Sequence, residues 1–216
     1  MKILYIEASP RAEKSYSSRV AKAFLEACVE HSPGTKVDHL ALFETELPRF
    51  GREAADQKMA HIARLIESGQ GIDAAGEWSG VLEHIARFRE ADKVVISSSM
   101  WNFSIPYPLK HYIDLICQPG LTFGVNAHGD YVGLVRGKPM QLILARGSEY
   151  RAGFPEQADG TKTDFQLIYL RHIANFLGFV DVRQILIQPT EARGRDHAEQ
   201  QLQAQLDAAR LAAYEF

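Results

Sequence analysis

Residues 94–110 read VVISSSMWNFSIPYPLK, and this stretch decides the fold. Its β-branched apolar start predicts a buried strand. Pro108 suits the first turn of a following helix, predicted over 109–115, because that turn does not need the N–H that proline lacks. The stretch is therefore a strand-to-helix loop with exposed backbone N–H groups and two large aromatic side chains. Burial of Trp101 and Phe103 as core under the loop is the alternative interpretation.

Strand patterns alternate with helix patterns on both sides of this stretch. The predicted strands cover 3–6, 35–40, 93–97, 139–145 and 182–187. The other predicted helices run from the first loop to about 33, and over 52–66, 77–89, 161–177 and 198–214. This alternation predicts an α/β fold, a doubly wound five-stranded parallel sheet in the order 2-1-3-4-5 with helices on both faces. We expect one domain over 1–216 with a helical insertion at about 42–90, and a long glycine-containing loop over 121–133.

The loop after the first strand is rich in hydroxyl groups. It contains Ser9, Ser15, Ser17 and Ser18, with Arg11 between them. Ser15 or Ser17 can be the N-cap of the helix that follows, and the free N–H groups and partial positive charge of a helix N-terminus attract anions. Capping accounts for one or two of these serines, so four hydroxyls and an arginine predict a phosphate site. The sequence of this loop has neither GxGxxG nor GxxxxGK, so a dinucleotide fingerprint or a P-loop is not supported.

Three loops with residues suited to binding a ligand follow the first, third and fourth predicted strands. The fourth strand ends in Arg146-Gly147-Ser148, where a glycine lets backbone approach a ligand closely, although a plain tight turn is the alternative. In the order 2-1-3-4-5 these three strands are neighbours, and ligands bind where the winding of the sheet reverses. We therefore expect the three loops to converge on one site.

A phosphate at the serine loop, beside aromatics and backbone N–H groups, describes a phosphorylated flat ring, and FMN matches this description. N–H groups at 101–103 could bond N1, O2 and N5 of its ring. A nucleotide or a sugar phosphate would need the same phosphate cradle but has less use for Met-Trp-Asn-Phe.

Three motifs support this assignment. They are Ser9-x5-Ser15-x-Ser17, then Met100-Trp101-Asn102-Phe103 with Ile105-Pro106, Leu109-Lys110 and Tyr112-Ile113-Asp114, and finally Gly120-x-Thr122-Phe123. In these motifs the chain resembles the FMN-dependent NADH-azoreductases of the flavodoxin-like NAD(P)H:quinone oxidoreductase superfamily. The resemblance implies a flavodoxin-like fold in which the FMN phosphate and ribityl end are held by Ser9, Ser15, Tyr16 and Ser17, with Arg11 nearby. It implies a ring lined by Met100, Trp101, Asn102 and Phe103 and closed on its far side by Ala145, Arg146, Gly147 and Ser148. The usual Ser-Arg-Gly-Gly of the family is Ala-Arg-Gly-Ser here.

The resemblance also implies a homodimer with the active site at the subunit interface and a ping-pong cycle. NADH or NADPH would reduce FMN by hydride transfer and leave, and a quinone or azo compound would then take its place. No side chain need act as a catalyst, because the flavin carries the chemistry. We take Phe123, Tyr131 and Phe165 as hypothetical walls of the acceptor slot, with core packing as the alternative.

Other functions remain open at this point. They are a quinone reductase whose azo reduction is incidental, and an FMN-binding electron carrier or redox-responsive regulator without its own turnover. A hydrolase is not supported, since the sequence has no GxSxG motif.

Composition limits the partners of the chain. Its 216 residues are 46% hydrophobic and 24% charged, and the net charge of −3 gives no electrostatic footprint for nucleic acid. No apolar run approaches the roughly 20 residues of a membrane helix, and the first strand begins without a signal-peptide pattern. Cys28 and Cys117 lie far apart in helical patterns, as expected of buried thiols in a reducing cytosol. We expect a cytoplasmic protein without a metal, nucleic-acid or membrane partner.

Overall fold

Five parallel strands form the main sheet. The structure, a computed structural model, describes residues 1–71, 76–150 and 164–216. The strands are β1 (Lys2–Ala8), β2 (Lys36–Ala41), β3 (Lys93–Ser99), β6 (Met140–Ala145) and β7 (Val182–Ile187). Two further strands, β4 (Phe123–Val125) and β5 (Tyr131–Gly133), pair with each other outside this sheet. The order β2-β1-β3-β6-β7 is therefore the predicted 2-1-3-4-5, and the doubly wound parallel sheet is confirmed.

Helices cover both faces of the sheet. They are α1 (Tyr16–His31), α2 (Arg52–Ser68), α3 (Glu77–Glu90), α4 (Tyr107–Ile116), α5 (Phe165–Leu177) and α6 (Arg195–Glu215). Successive side chains of a strand point to opposite faces, so β1 divides its residues between two cores. Ile3 and Tyr5 pack with α1 and α6, while Leu4 and Ile6 pack with α3, α4 and α5. None of the helices in the described ranges is long and apolar enough to cross a membrane.

Two helices lie between β2 and β3, where one crossover helix would suffice. Helix α3 belongs to the core, because Trp78, Val81, Ile85 and Phe88 are all buried. Helix α2 buries few side chains and lies mainly at the surface. The extra element of the region 42–90 is therefore α2.

The prediction of a plain loop over 121–133 is wrong. Strands β4 and β5 form an antiparallel hairpin whose turn is held by Asn126, since its side-chain oxygen accepts hydrogen bonds from the N–H groups of His128 and Asp130 at 2.9 Å. At the other end Val135 donates to the carbonyl of Leu177 at 2.9 Å. Strands of three residues are too short to leave a clear alternating pattern in the sequence.

Several predicted helix boundaries differ by one to four residues, and the differences are largest at the starts of α5 and α6. The helix predicted over 161–177 begins at Phe165, with Asp164 as its N-cap, and 161–163 lie outside the described residues. The last helix begins at Arg195 rather than 198, directly after Gly194, whose φ of 80° no other residue type adopts as readily.

Candidate functional site

Three loops leave the same edge of the sheet side by side. Ala8 at the end of β1 pairs with Ser98, and Ser99 at the end of β3 pairs with Ala145. The pairing continues one step into the loop, because the N–H of Met100 donates to the carbonyl of Ala145 at 2.9 Å. The structure thus brings together the loops after β1, β3 and β6, as the sequence predicted.

The serine loop buries its hydroxyl groups at the start of α1. Ser9, Ser15 and Ser17 are buried, and the hydroxyl oxygens of Ser15 and Ser17 lie 3.0 Å apart. Ser15 is the N-cap, since its side chain accepts from the N–H of Ser18. The first N–H groups of a helix have no partner within the helix, so those of Tyr16 and Ser17 remain for a ligand. Hydroxyls and N–H groups at the positive end of a helix are the donors that a phosphate needs.

Cationic side chains surround this helix start. A cleft of about 610 Å³ separates the serine loop from the start of α6, and Arg11, Lys14, Arg19 and Arg195 are among its walls, with Glu13, Glu191 and Glu199. Arg19 lies 3.8 Å from the carboxylate of Glu199. Arg11 and Lys14 are exposed and form no ion pair with another described residue. Their charge is therefore free to attract an anion to the serine loop.

The loop after β3 turns sharply at Asn102 and Phe103. Their φ angles are 47° and 68°, in the left-handed region that residues other than glycine rarely adopt. The turn is closed by Trp101 and Ser104, each of which donates its N–H to the carbonyl of the other. The N–H groups of Asn102 and Phe103 have no acceptor in the part of the chain that the structure describes. Backbone held in a sparsely populated conformation with two free donors is typical of a ligand site.

The aromatic side chains of this loop take different places. The ring of Trp101 packs against Phe43 and Tyr107, with centroids 5.6 Å and 6.2 Å away. Phe103 is 52% exposed, so its interpretation as core is wrong. Met100 is half-buried at the strand end.

The loop after β6 presents backbone N–H groups, rather than side chains, to a ligand. Ala145 is buried in the core, and Arg146 is 1% exposed with its guanidinium 2.9 Å from the carboxylate of Asp164. Burial lowers the pKa of Arg146, although the carboxylate of Asp164 opposes that shift. The side chains of Ala145 and Arg146 are therefore taken up by the core and by Asp164, and the prediction that the stretch 145–148 lines a ring depends on the backbone of Gly147 and Ser148. Their N–H groups have no acceptor among the described residues.

Gly147 provides close packing rather than an unusual turn. Gly147 and Ser148 do not have the positive φ that favours glycine, so the serine in place of the second family glycine causes no strain of that kind. A Cβ on Gly147 would lie 3.0 Å from a carboxylate oxygen of Glu191. Any larger side chain would therefore displace Glu191 or the loop.

Two of the three expected slot aromatics lie together. Phe123 and Tyr131 are 5.8 Å apart across the hairpin, and both contact Phe176, at 4.6 Å and 5.5 Å. Phe165 is half-exposed at the other end of α5, about three helical turns from Phe176. The structure therefore groups Phe176, not Phe165, with the hairpin.

Sequence reasoning missed several neighbours of these loops. They are Phe43, Asp164, Phe176, Gln188 and Glu191. Gln188 follows β7 at the same sheet edge, and this position in the sequence could have revealed it. The others are brought in by packing between elements distant in sequence.

Comparison with known proteins agrees with this fold. A family model described as flavodoxin-like fold matches residues 1–212, and the chain belongs to this family. It is 46% identical over 218 residues, 99% of each chain, to an FMN-dependent NADH:quinone oxidoreductase of Nitratidesulfovibrio vulgaris (strain DP4). The crystal structure of azoreductase from Bacillus anthracis str. Sterne superposes with a TM-score of 0.83 at 28% identity, covering 100% of both chains. An FMN-dependent NADH-azoreductase from Bacillus anthracis str. Ames Ancestor, solved in complex with FMN, gives 0.82 at 26% identity, covering 100% of this chain and 99% of its own. The predicted family is confirmed.

Proposed function

We propose that this protein is an FMN-dependent NADH:quinone oxidoreductase that also reduces azo compounds. One observation carries the proposal. Two groups of donors lie at the ends of the adjacent strands β1 and β3: the serine-lined start of α1, and the two free N–H groups of the strained turn at Asn102 and Phe103. The chain that carries them is 46% identical to a relative with that name.

The residues at the start of α1 fit the phosphate of FMN. The buried hydroxyls of Ser9, Ser15 and Ser17 and the first N–H groups of α1 would hold its oxygens, and Arg11 would supply positive charge. Tyr16 stands at the first helical position and would contact the ribityl end. A buried hydroxyl pair that touches little besides itself gains partners when such a ligand binds.

The other two loops fit the edge of a flat ring. Asn102 and Phe103 on one loop, and Gly147 and Ser148 on the other, would donate their free N–H groups to its oxygen and nitrogen atoms. When bound, FMN supplies the two-electron transfer from NADH to the acceptor. The chain holds the N–H donors in fixed directions, so they need not reorganise during the reaction.

The acceptor slot involves the hairpin. Phe123 and Tyr131, with Phe176, present an aromatic surface, and Tyr131 is 69% exposed. Quinones and azo compounds are flat and conjugated, so they stack on such surfaces. Phe165 is half-exposed and lies apart from these three rings, and we retain it as a hypothetical wall of the slot. NADH or NADPH would use the slot in turn with the acceptor, which gives ping-pong kinetics.

The assembly and location follow the same proposal. The whole chain, 1–216, would be one FMN-binding domain with an insertion at 42–90, and two chains would form a homodimer. Exposed apolar side chains on the hairpin and α5, such as Val125, Tyr131 and Ile168, support a contact surface there. The free thiols of Cys28 and Cys117 support a reducing, cytoplasmic location.

The decisive experiment is spectroscopic. The purified protein, incubated with FMN and desalted, should retain the cofactor and its yellow colour. Anaerobic NADH should bleach it rapidly, and a quinone should restore the colour. A protein that retains no FMN would refute the proposal. Retention of FMN without rapid bleaching would indicate an electron carrier or regulator instead.

A second experiment tests the loops. Asn102→Ala and Gly147→Val should weaken FMN binding about tenfold or more, because each disturbs a loop with free N–H donors. Ser18→Ala is the control, since this hydroxyl is buried beside Tyr5 under the loop. Equal FMN affinity in all three variants, measured by flavin fluorescence, would contradict the assignment of the loops.

A further inference from the structure

The guanidinium of Arg146 is a buried junction between three parts of the chain. Its Nε donates to Gln166 at 3.1 Å, and its Nη2 donates to Asp164 at 3.1 Å. Its Nη1 donates to Gln188 at 3.3 Å. The first two acceptors belong to the start of α5, and the third follows β7. The planar guanidinium presents its donors in a fixed fork that suits three acceptors in different directions.

The backbone around Arg146 is fixed as well. Its N–H donates to the carbonyl of Ile187 at 3.0 Å, and its carbonyl accepts from both the N–H and the hydroxyl of Thr190. The next carbonyl, of Gly147, accepts from the N–H groups of Glu191 and Ala192. The carbonyl groups of Arg146 and Gly147 are therefore used within the chain, whereas the N–H groups of Gly147 and Ser148 have no acceptor among the described residues.

Stability alone does not account for a buried arginine at this place. Removing a guanidinium from water is costly, and apolar side chains of similar volume often give equal or greater stability than a buried ion pair. Hydrogen bonds are directional, so the guanidinium constrains the angle of the loop more strictly than apolar contacts of the same volume would. Side chains that lock the groups contacting a ligand commonly have this role.

We propose that Arg146 is a positioning residue, whose bonds to Asp164, Gln166 and Gln188 hold the free N–H groups of Gly147 and Ser148 in the orientation that binds the flavin. This inference rests on the proposed FMN function. The guanidinium and the backbone N–H of Arg146 are bonded within the chain, so Arg146 would act through the loop that it holds. Its bonds to Asp164 and Gln166 tie this loop to the first turn of α5.

A substitution at Asp164 can remove the ion pair with Arg146 without changing the arginine. Its carboxylate is the N-cap of α5, accepting from the N–H of Leu167 at 3.0 Å, and it also pairs with Arg146. Asparagine is as good an N-cap as aspartate. Asp164→Asn therefore keeps the helix start and removes the charge that holds the guanidinium.

The test compares Arg146→Lys and Asp164→Asn with Arg87→Lys, which weakens another partly buried arginine–aspartate pair, that with Asp38. In the FMN-free proteins, hydrogen–deuterium exchange of the amides over 145–150 should become about tenfold faster in the first two variants only. FMN affinity, measured by fluorescence titration, should fall about tenfold in the same two variants. Arg87→Lys should lose stability and keep both properties.

The outcomes separate this inference from the function on which it rests. If Arg146→Lys and Asp164→Asn lose thermal stability but keep wild-type exchange and FMN affinity, Arg146 is only structural and the inference is overturned. If Arg146→Lys does not fold, Asp164→Asn alone decides. If the wild-type protein itself binds no FMN, the proposed function fails, and the inference fails with it.

Discussion

Trp101 and Ser104 are joined by two backbone hydrogen bonds, from N–H to carbonyl in each direction, at 3.0 Å and 2.9 Å. Two residues remain between them, and both must take positive φ, as in the tight turns that connect paired strands. Asparagine tolerates this conformation because its short side chain hydrogen-bonds locally. Phenylalanine has no such polar group, so Phe103 is strained at its positive φ. The turn therefore lowers the stability of the protein, and in return it leaves the N–H groups of Asn102 and Phe103 free to bind a ligand.

Substitutions at Asn102 should therefore separate conformation from chemistry. Asn102→Ala should lower the free energy of unfolding by about 1 kcal/mol, because alanine is strained at a φ of 47°. Asn102→Gly should lie within about 0.5 kcal/mol of the wild type, since glycine adopts this φ freely. Urea unfolding measures both. Equal losses in the two variants would show that the side chain, and not the backbone angle, is what matters there.

Arg11 should act on the cofactor and not on the fold. It is exposed and forms no ion pair with another described residue, so Arg11→Ala should leave the unfolding free energy within about 0.5 kcal/mol of the wild type. FMN affinity should fall about tenfold at low salt, and the difference should shrink as added salt screens the phosphate. The measurement is FMN titration at two salt concentrations. Lys22→Ala, on an outer position of α1, is the control.

Much of this fold could be predicted because its signals are local. The run from Val94 to Ile96 is β-branched and apolar, and Pro108 marks the helix start within two residues. Strand order followed from alternation and handedness rules rather than from any contact. The serine loop and the Met-Trp-Asn-Phe turn were found for the same reason, since each is contained within one short segment.

The features that were missed depend on contacts between distant segments. The side chain of Arg146 could equally face a ligand or the core, and only the positions of Asp164, Gln166 and Gln188 decide for the core. Likewise Phe176 joins Phe123 because a hairpin docks on the end of α5. Sequence patterns that specify elements do not specify which side chains meet between them.

Acid should weaken one identifiable ion pair at the edge of the sheet. Arg87 donates to both carboxylate oxygens of Asp38, and this hydrogen bonding holds the pKa of Asp38 below its usual value. In the unfolded chain Asp38 ionises near pH 4, so the stabilisation is complete at neutral pH and is lost as pH falls below about 4. Asp38→Asn should cost about 1 kcal/mol at pH 7 and less at pH 3.

Urea unfolding of the wild type and Asp38→Asn at both pH values checks this. Asp207→Asn is the control, because its pair with Arg210 is exposed on α6 and contributes little. A difference between Asp38→Asn and the wild type that stays constant or grows in acid would contradict the assigned cause.

Two glycines of the hairpin offer a matched pair for testing the acceptor slot. A Cβ on Gly133 would lie 2.3 Å from the backbone nitrogen of Gly178, which cannot yield as a flexible side chain would. Gly133→Ala should therefore push the hairpin off α5 and cost about 2 kcal/mol or more. On the paired strand, a Cβ on Gly124 would meet nothing within 4 Å, so Gly124→Ala should be close to neutral.

Because the hairpin carries Phe123 and Tyr131, its displacement should raise the KM for quinone severalfold while FMN affinity changes little. Steady-state kinetics of the FMN-loaded variants measures the first quantity, and fluorescence titration measures the second. If Gly133→Ala destabilises the protein but leaves the quinone KM unchanged, the hairpin aromatics do not form the slot, and Phe123 and Tyr131 are packing residues of the surface cluster with Phe176.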